Sequence, residues 1–304
     1  MTSSNPANAR LTDATPIPNS RANPAARSNI SMAARRFVRH KLAVAGLLLV
    51  IVLAVAGFGA PLLAPTGYTE SSILDSNQRP SREHLFGTDG IGRDYLSRIM
   101  YGIRTSFTVA FAAVAVACLI GIPLGLISGL RGGITDFAIQ RLTEIITAFP
   151  GILFAIFLLT IRGSGQSNVI LVIGLTSWIT ICRLTRAQIL TLREQEYVTA
   201  ARALGATERS IAVKHVLPNA LAPLIVAITL AVPTAIFAEA GLSFLGIGIN
   251  EPTPSLGKMV ADSAQFIQLN WHLGLFPTLA IALAMLGFTF FGDGLRDALD
   301  PRQG

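Results

Sequence analysis

The sequence predicts an all-α membrane protein with six transmembrane helices. Of its 304 residues, 51% are hydrophobic and only 13% are charged, which is about half the charged fraction of an ordinary soluble domain. The apolar residues are collected into charge-free blocks, and a helix crosses the hydrocarbon layer with about 20 such residues. Six blocks of this kind occur, at residues 42–64, 105–130, 145–161, 163–182, 216–238 and 273–292.

The distribution of basic residues predicts that both termini lie in the cytoplasm. The net charge is +7, and Lys and Arg lie between the apolar blocks, so charge indicates orientation rather than a nucleic-acid partner. An even number of spans with the N-terminus inside places 17 basic residues in the cytoplasm and seven outside, where seven acids balance them. The cluster that directly precedes the first block fits anionic lipid headgroups; it comprises Arg35, Arg36, Arg39 and Lys41.

The blocks divide the chain into four parts. Residues 1–34 are rich in Ser, Asn, Pro and Ala and are predicted to be a disordered cytoplasmic tail. Residues 35–64 form an N-terminal anchor with the first transmembrane helix, residues 65–104 an outer segment, and residues 105–304 a core of five transmembrane helices. The run 216–250 contains three prolines and one acid, so it is either one kinked helix or a helix plus a re-entrant segment.

Three glycines recur every four residues in the second span. Gly121, Gly125 and Gly129 therefore lie on one helix face and permit a neighbouring helix to approach closely. We predict a packing role for this face, because the alternative is only that glycine is common in membrane helices.

The cytoplasmic segment between the fourth and fifth spans predicts a bent pair of short helices. Tyr197, Ala200, Ala201 and Leu204 follow helical spacing and form one apolar face of small residues, which Gly205 ends with a left-handed turn. Thr207 then caps a second helix, which is expected to end near Leu217 and Pro218. Such a pair either inserts into a groove on another protein or lies on the lipid headgroups.

The same segment resembles the EAA loop of binding-protein-dependent ABC importer permeases, here residues 187–218. That pattern reads E-A-A, three residues, G, nine residues, I-x-L-P, and the spacing is met in full. The residues that carry it are Thr199, Ala200, Ala201, Gly205, Leu217 and Pro218. Two positions depart, because Thr199 stands for Glu and His215 for Ile; Glu196, three residues before Thr199, is the alternative source of the carboxylate.

Three further segments narrow the resemblance to the dipeptide, oligopeptide and nickel permease family, of the second-permease type. They read FGTDGIGRDYLSRIMYGIRTSF at 86–107, EAGLSFLGIGINEPTPSLGKMV at 239–260 and GDGLRDALDPR at 292–302. The likeness covers the chain from about residue 35 to its end.

The resemblance implies a six-span permease of the type I ABC importer fold in a bacterial inner membrane. Its implied partners are a homologous second permease, two cytoplasmic ATPase subunits or a fused pair that dock on the EAA loop, an extracytoplasmic solute-binding protein, and membrane lipid. The chain is then a non-catalytic subunit that binds no cofactor of its own. ATP and Mg²⁺ belong to the ATPase subunits, since this chain lacks the G-x-x-x-x-G-K-[ST] motif. Di- or oligopeptides are the expected cargo, with nickel, haem or glutathione as alternatives.

Several charged residues are weaker candidates. Arg93, Asp94 and Arg98 in the outer segment are predicted to line an external gate or to contact the binding protein; the alternative is an exposed helical ion pair between Asp94 and Arg98. Glu239 is an acid within an apolar run, where function is the default hypothesis, but a structural hydrogen bond is favoured because Ala240 and Gly241 indicate close packing.

Two cytoplasmic groups are predicted to be local. Glu144 beside Arg141 ends the third span at the inner interface. Arg296 pairs with Asp293 at i+3, or contacts the ATPase.

No metal or catalytic site is predicted. The four histidines are scattered over separate loops, the two cysteines lie in apolar blocks, and the spans hold no catalytic constellation. An ion-coupled secondary transporter is the rival class, but it needs paired ionisable groups at the midplane and inverted repeats, which the sequence does not display. A channel is a third class.

Overall fold

The computed structural model describes residues 25–299 and is all-α in that part of the chain. The twelve helices are α1 Ala25–Arg39, α2 Lys41–Phe58, α3 Ala60–Leu63, α4 Tyr95–Arg131, α5 Gly133–Thr147, α6 Gly151–Arg162, α7 Gln166–Arg193, α8 Glu196–Ala203, α9 Glu208–Ile211, α10 Leu217–Phe244, α11 Leu256–Ser263 and α12 Trp271–Leu299. A 3₁₀ turn at Ile73–Asp75 lies in the outer segment, and a π-helical turn at Ala212–Val216 joins α9 to α10.

The six predicted crossings correspond to five helical runs and one bent pair of helices, α5 and α6. Five helical runs are long and apolar enough to span a membrane: α2, α4, α7, the continuous run Glu208–Phe244, and α12. The predicted third span, 145–161, is not one straight helix, because α5 and α6 meet at an angle of 83°. Pro150 lies at the break, and proline disfavours a helical conformation in the residue before it.

The core of the bundle is formed by α4 packed along α7. Gly121, Gly125 and Gly129 are buried on the face of α4 that meets α7. A Cβ atom on Gly125 would lie 2.5 Å from the carbonyl oxygen of Cys182, and one on Gly121 would lie 2.6 Å from that of Trp178. The glycine face thus meets its neighbour backbone to backbone, as its spacing predicts.

Helix α5, the first of the two helices that meet at the 83° break, is held to the bundle by polar contacts. In α5 only Thr143 is buried. Arg186 of α7 donates from Nε to Oδ1 of Asp136 (2.5 Å) and from its terminal nitrogen to Oδ2 (2.6 Å), a bidentate pair that also attracts the hydroxyl of Ser128. Sequence patterns gave no sign of this pair, because its partners are 50 residues apart.

The fifth span is a single helix, which answers the question that the sequence left open. Pro223 and Pro233 lie inside α10, and the helix continues through both to Phe244. The chain then forms a loop at residues 245–255 and the short helix α11 on the outer side. No re-entrant segment occurs within 217–244.

The predicted disordered tail needs correction at its end. Residues 25–39 form α1, whereas the earlier part of the tail lies outside the described residues. This segment is rich in Ala and Arg, which favour helix. Phe37 also contacts Phe291 of α12 edge-on, with ring centroids 5.8 Å apart, so the end of α1 is fixed on the bundle.

Candidate functional site

The cytoplasmic loop forms the bent helix pair that the sequence predicts. Helix α8 ends at Ala203, and Gly205 follows with a φ of +82°, in the left-handed region that glycine adopts without strain. The amide of Gly205 donates to the carbonyl of Arg202 (3.0 Å), and the amide of Ala206 donates to that of Ala201 (3.1 Å). These bonds satisfy carbonyls that the end of α8 leaves free.

The second helix starts at the predicted cap. The hydroxyl of Thr207 accepts a hydrogen bond from the amide of Ser210 at 3.3 Å. Arg202 on α8 donates from Nε to Glu208 on α9 at 2.9 Å. This ion pair closes the bend between the two helices, and the sequence reading missed it because neither residue belongs to the EAA pattern.

The loop has a buried face and an exposed face. Val198, Ile211 and Val216 are fully buried and pack with Ile189 of α7 and Leu224 of α10. The predicted apolar face points mostly the other way, since Ala200 is exposed, Tyr197 is 40% exposed and Leu204 is 88% exposed. Ala201 is the exception and packs against the buried cluster. Helix α8 therefore packs against the bundle on one side and exposes an apolar face on the other.

The acidic position of the EAA pattern is also on the surface. Glu196 and Thr199 are both exposed, and the Thr199 hydroxyl donates only to the carbonyl of Gln195, at 3.4 Å. Glu196 lies in the first turn of α8, where its charge favours the helix dipole. No described residue forms an ion pair with Glu196.

One expectation about this loop is wrong: the second helix does not end at Pro218. Residues Glu208–Phe244 form one continuous helical run of 37 residues. A proline ring inside an α-helix clashes with the carbonyl four residues earlier. The wider π-helical turn at Ala212–Val216 directly precedes Leu217 and Pro218, and it relieves that clash. The exposed bend is thus connected to the outer loop by one continuous helical run.

On the outer side, a cluster of four charged residues joins two distant segments. This outer ion cluster consists of Asp89, Arg93, Arg98 and Glu251. Arg93 donates to Asp89 at 2.6 Å and to Glu251 at 2.8 Å. Arg98, only 3% exposed, donates to the other oxygen of Glu251 at 2.7 Å. The cluster thereby unites the motif segments 86–107 and 239–260.

The alternative considered for the outer segment, an ion pair between Asp94 and Arg98, does not occur. Asp94 caps α4 instead, accepting from the amide and the hydroxyl of Ser97, both at 2.8 Å, and it contacts His84 Nδ1 at 3.0 Å. Helix capping satisfies the free amides at the start of α4, which an ion pair with Arg98 would leave unpaired. Of the three predicted outer residues, Arg93 and Arg98 lie together in the outer ion cluster, whereas Asp94 is the N-cap of α4.

The electrostatics of the outer ion cluster favour its charged form. Burial alone would raise the pKa of Glu251, but the hydrogen bonds from Arg93 and Arg98 outweigh it and hold that pKa below its usual range. Burial would likewise lower the pKa of Arg93, yet its bonds to Glu251 and Asp89 raise it.

Glu239 is fully buried at the outer end of α10. Its carboxylate accepts hydrogen bonds from the hydroxyls of Ser106, Ser243 and Ser255 at 2.7, 2.9 and 2.7 Å. The sequence favoured a structural hydrogen bond here, and the structure has three, from α4, from α10 itself and from the residue that caps α11.

Of the two cytoplasmic groups predicted to pair locally, one does so and the other does not. Arg141 pairs with Glu144 at 2.5 Å on the exposed face of α5. The expected bond between Asp293 and Arg296 is not made in the described structure. Asp297 lies instead 3.7 Å from His40, because α12 packs against α2 at this end. Among the described residues, no group of three or more His, Cys, Asp or Glu could hold a metal ion.

Comparisons with known proteins agree with this geometry. The family model of binding-protein-dependent transport system inner membrane components matches residues 121–304, and that of the N-terminal transmembrane domain of oligopeptide transport permease C matches residues 28–80. The inward-facing MetNI methionine ABC transporter has a similar fold, with a TM-score of 0.56 and 21% identity over 67% of this chain and 96% of that one.

Curated relatives are similar over nearly the whole chain. The dipeptide transport system permease protein DppC of Alkalihalophilus pseudofirmus is 44% identical, and the oligopeptide transport system permease protein OppC of Bacillus subtilis is 40% identical; each match covers 88% of both chains. The glutathione transport system permease protein GsiD of Pectobacterium atrosepticum is 38% identical over 88% of this chain and 89% of its own.

The all-α bundle with its cytoplasmic EAA loop defines a membrane-spanning permease subunit with the type I ABC importer fold. It is a multi-pass protein of the bacterial inner membrane. The chain belongs to the family of binding-protein-dependent transport system inner membrane components, and within that family to the DppC and OppC type.

Proposed function

We propose that this chain forms half of the translocation path of an importer for di- or oligopeptides, with a homologous second permease as the other half. Two ATPase subunits, or a fused pair, bind ATP and Mg²⁺ in the cytoplasm, and a solute-binding protein delivers the cargo outside. The names of the relatives DppC and OppC support peptides as the cargo.

The observation that carries this proposal is the continuous helical run Glu208–Phe244. It begins directly after the exposed bend at Gly205 and ends beside the outer loop that bears Glu251. Contacts of the bend that differ between nucleotide states of the ATPase shift the populations of the inward-open and outward-open permease. A continuous helix that starts beside the bend transmits such a shift across the membrane.

The exposed apolar face of α8 supports the docking of a protein on this bend. Tyr197 and Leu204 would lose contact with water on docking, while the buried residues Val198 and Ile211 keep the loop fixed to the bundle. Membrane lipid is the competing partner for such a face. The bundle beneath positions the face in advance, which lowers the conformational cost of binding a partner.

Glutathione is a second candidate cargo, because GsiD is 38% identical to this chain. The deciding experiment is co-purification of the chain with its partners, followed by reconstitution in liposomes. ATP hydrolysis and uptake are measured with the binding protein loaded with dipeptides, longer peptides, glutathione or Ni²⁺, and with the empty binding protein as control. We expect peptides to stimulate both. Stimulation by glutathione or Ni²⁺ alone would replace the peptide assignment, and no ATP-dependent uptake of any cargo would overturn the proposal.

A further inference from the structure

The hydrogen-bond network around Glu239 is larger than packing of α10 requires. A carboxylate in an apolar span is costly unless its oxygens are paired, and no described Lys, Arg or His pairs with Glu239. Three hydroxyl donors take that role instead, on α4, α10 and the start of α11. A neutral apolar residue would fill this site without any of these partners.

The network also reaches the outer loop. Ser243 donates to Glu239 and accepts from the amide of Ile249 at 3.1 Å. Ser255 donates to Glu239 at the other end of the loop at residues 245–255. Between these two contacts, Glu251 enters the outer ion cluster with Arg93 and Arg98. The loop is therefore bound to α10 on its buried side and to the start of α4 on its outer side.

Helix α11 packs closely against the backbone of α10 at this point. A Cβ atom on Gly257 would lie 2.1 Å from the carbonyl oxygen of Ala240, the residue after Glu239. Glu239 is also the 32nd residue of the run that begins at Glu208, so at 1.5 Å per residue it lies about 46 Å along the helix from the cytoplasmic bend. One residue thus joins the far end of that helix to both outer elements.

We propose that Glu239 is a positioning residue of the transport cycle, which makes the outer end of α10, the start of α4 and α11 move as one body. Displacement of the EAA loop then reaches the outer loop that carries Glu251. This inference rests on the proposed importer function, but not on the identity of the cargo.

Two variants test the role, with one matched control. Glu239→Gln keeps the shape of the side chain but replaces one acceptor oxygen by an NH₂ donor, and Ser255→Ala removes the donor that precedes α11. Ser263→Ala is the control, because Ser263 is also a buried serine of α11 but donates only to Val260 of its own helix, at 2.7 Å. Each variant is reconstituted in the complete complex with the second permease, the ATPase subunits and the binding protein.

The first readout is the ratio of ATPase activity with loaded binding protein to basal activity. The second uses no cargo: a cysteine at Leu245, which is exposed on the outer loop, is labelled with and without trapped ATP, with Cys118 and Cys182 replaced by alanine. We expect Glu239→Gln and Ser255→Ala to assemble and to keep basal ATPase activity, while the stimulation ratio falls about tenfold and the nucleotide-dependent change in labelling disappears. Ser263→Ala should behave like the unsubstituted complex.

Three results would overturn the inference: unchanged stimulation and labelling in both variants, an equal loss in Ser263→Ala, or losses that only follow lower assembly or thermal stability. A wrong cargo assignment is distinguishable, because the unsubstituted complex would then show the labelling change without peptide uptake.

Discussion

Replacing Gly205 with valine isolates the contribution of the bend in the EAA loop. Gly205 has φ of +82°, and a Cβ atom built there would meet nothing within 4 Å. The side chain therefore adds no clash, and the penalty comes from the backbone alone. A left-handed conformation costs an L-residue about 1–2 kcal/mol, and a β-branched residue lies at the upper end of that range.

This penalty should appear in the docking of the ATPase. If valine keeps the bend, the strain persists; if it relaxes the bend, α9 is redirected relative to α8 and the exposed face of the loop is lost. In the first case the strain is the same with and without the ATPase and leaves the affinity unchanged. We expect the second case, because relaxation removes the backbone strain; docking must then restore the bend at a cost of about 1–2 kcal/mol, which corresponds to about 5- to 30-fold weaker binding of the ATPase subunit. We expect Gly205→Asn to retain most binding, because asparagine tolerates left-handed backbone.

The assay measures the affinity of purified ATPase subunits for the permease pair in nanodiscs, together with uptake in cells. The matched control is Gly163→Val. Gly163 has φ of +87°, also with nothing within 4 Å, but it follows α6 on the predicted outer side. Equal affinity in Gly205→Val and the unsubstituted protein, or an equal loss in Gly163→Val, would refute the reasoning.

Three further predictions follow from the structure. Gly125→Ala should lower the thermal unfolding midpoint by the equivalent of about 1–3 kcal/mol, because the added Cβ atom would lie 2.5 Å from a backbone oxygen of α7. Gly151→Ala is the control and should leave the midpoint unchanged, because a Cβ atom at Gly151 would meet nothing within 4 Å. Folding lowers the pKa of Glu251, so the stabilisation that its charged form provides is present above the unfolded pKa of about 4.3 and is lost as pH falls through the lower folded value. Thermal unfolding at pH 7 and pH 3 should therefore show a smaller acid-induced loss of stability in Glu251→Gln than in the unsubstituted protein. Equal losses would exclude this contribution. A cysteine at Thr207 should react with an impermeant maleimide only from the cytoplasmic side, and labelling from outside would reverse the assigned orientation.

Local sequence signals predicted the membrane helices and the bend well. Apolar blocks, Gly205 and Thr207 act over a few residues, through transfer of side chains into lipid, left-handed backbone and helix capping. The glycine repeat of α4 likewise predicted a contact face, although the sequence did not name α7 as its neighbour. The 83° break falls at Pro150 inside an apolar block; the dipeptide Pro150–Gly151 is typical of a turn, but the apolar residues around it favoured one straight span.

The ion pairs show where sequence reasoning fails. Asp94 and Arg98 have ideal helical spacing, yet Asp94 caps α4 and Arg98 reaches Glu251, 153 residues away. Pro218 appeared to end a helix, but the π-helical turn before it keeps the helix continuous. In the first case a partner 153 residues away decided the outcome, and in the second a backbone adjustment in the turn directly before the proline.

The sequence by itself determined that the chain is a helical membrane protein with a bent cytoplasmic loop, because burial in lipid and backbone strain depend on each residue and its near neighbours. Only the tertiary structure decided that Glu239 meets Ser106 and Ser255, that Glu251 binds two arginines, and that one continuous helix connects the bend to the outer loop. Those contacts depend on how helices far apart in the chain are packed, and a single sequence carries no local record of that packing.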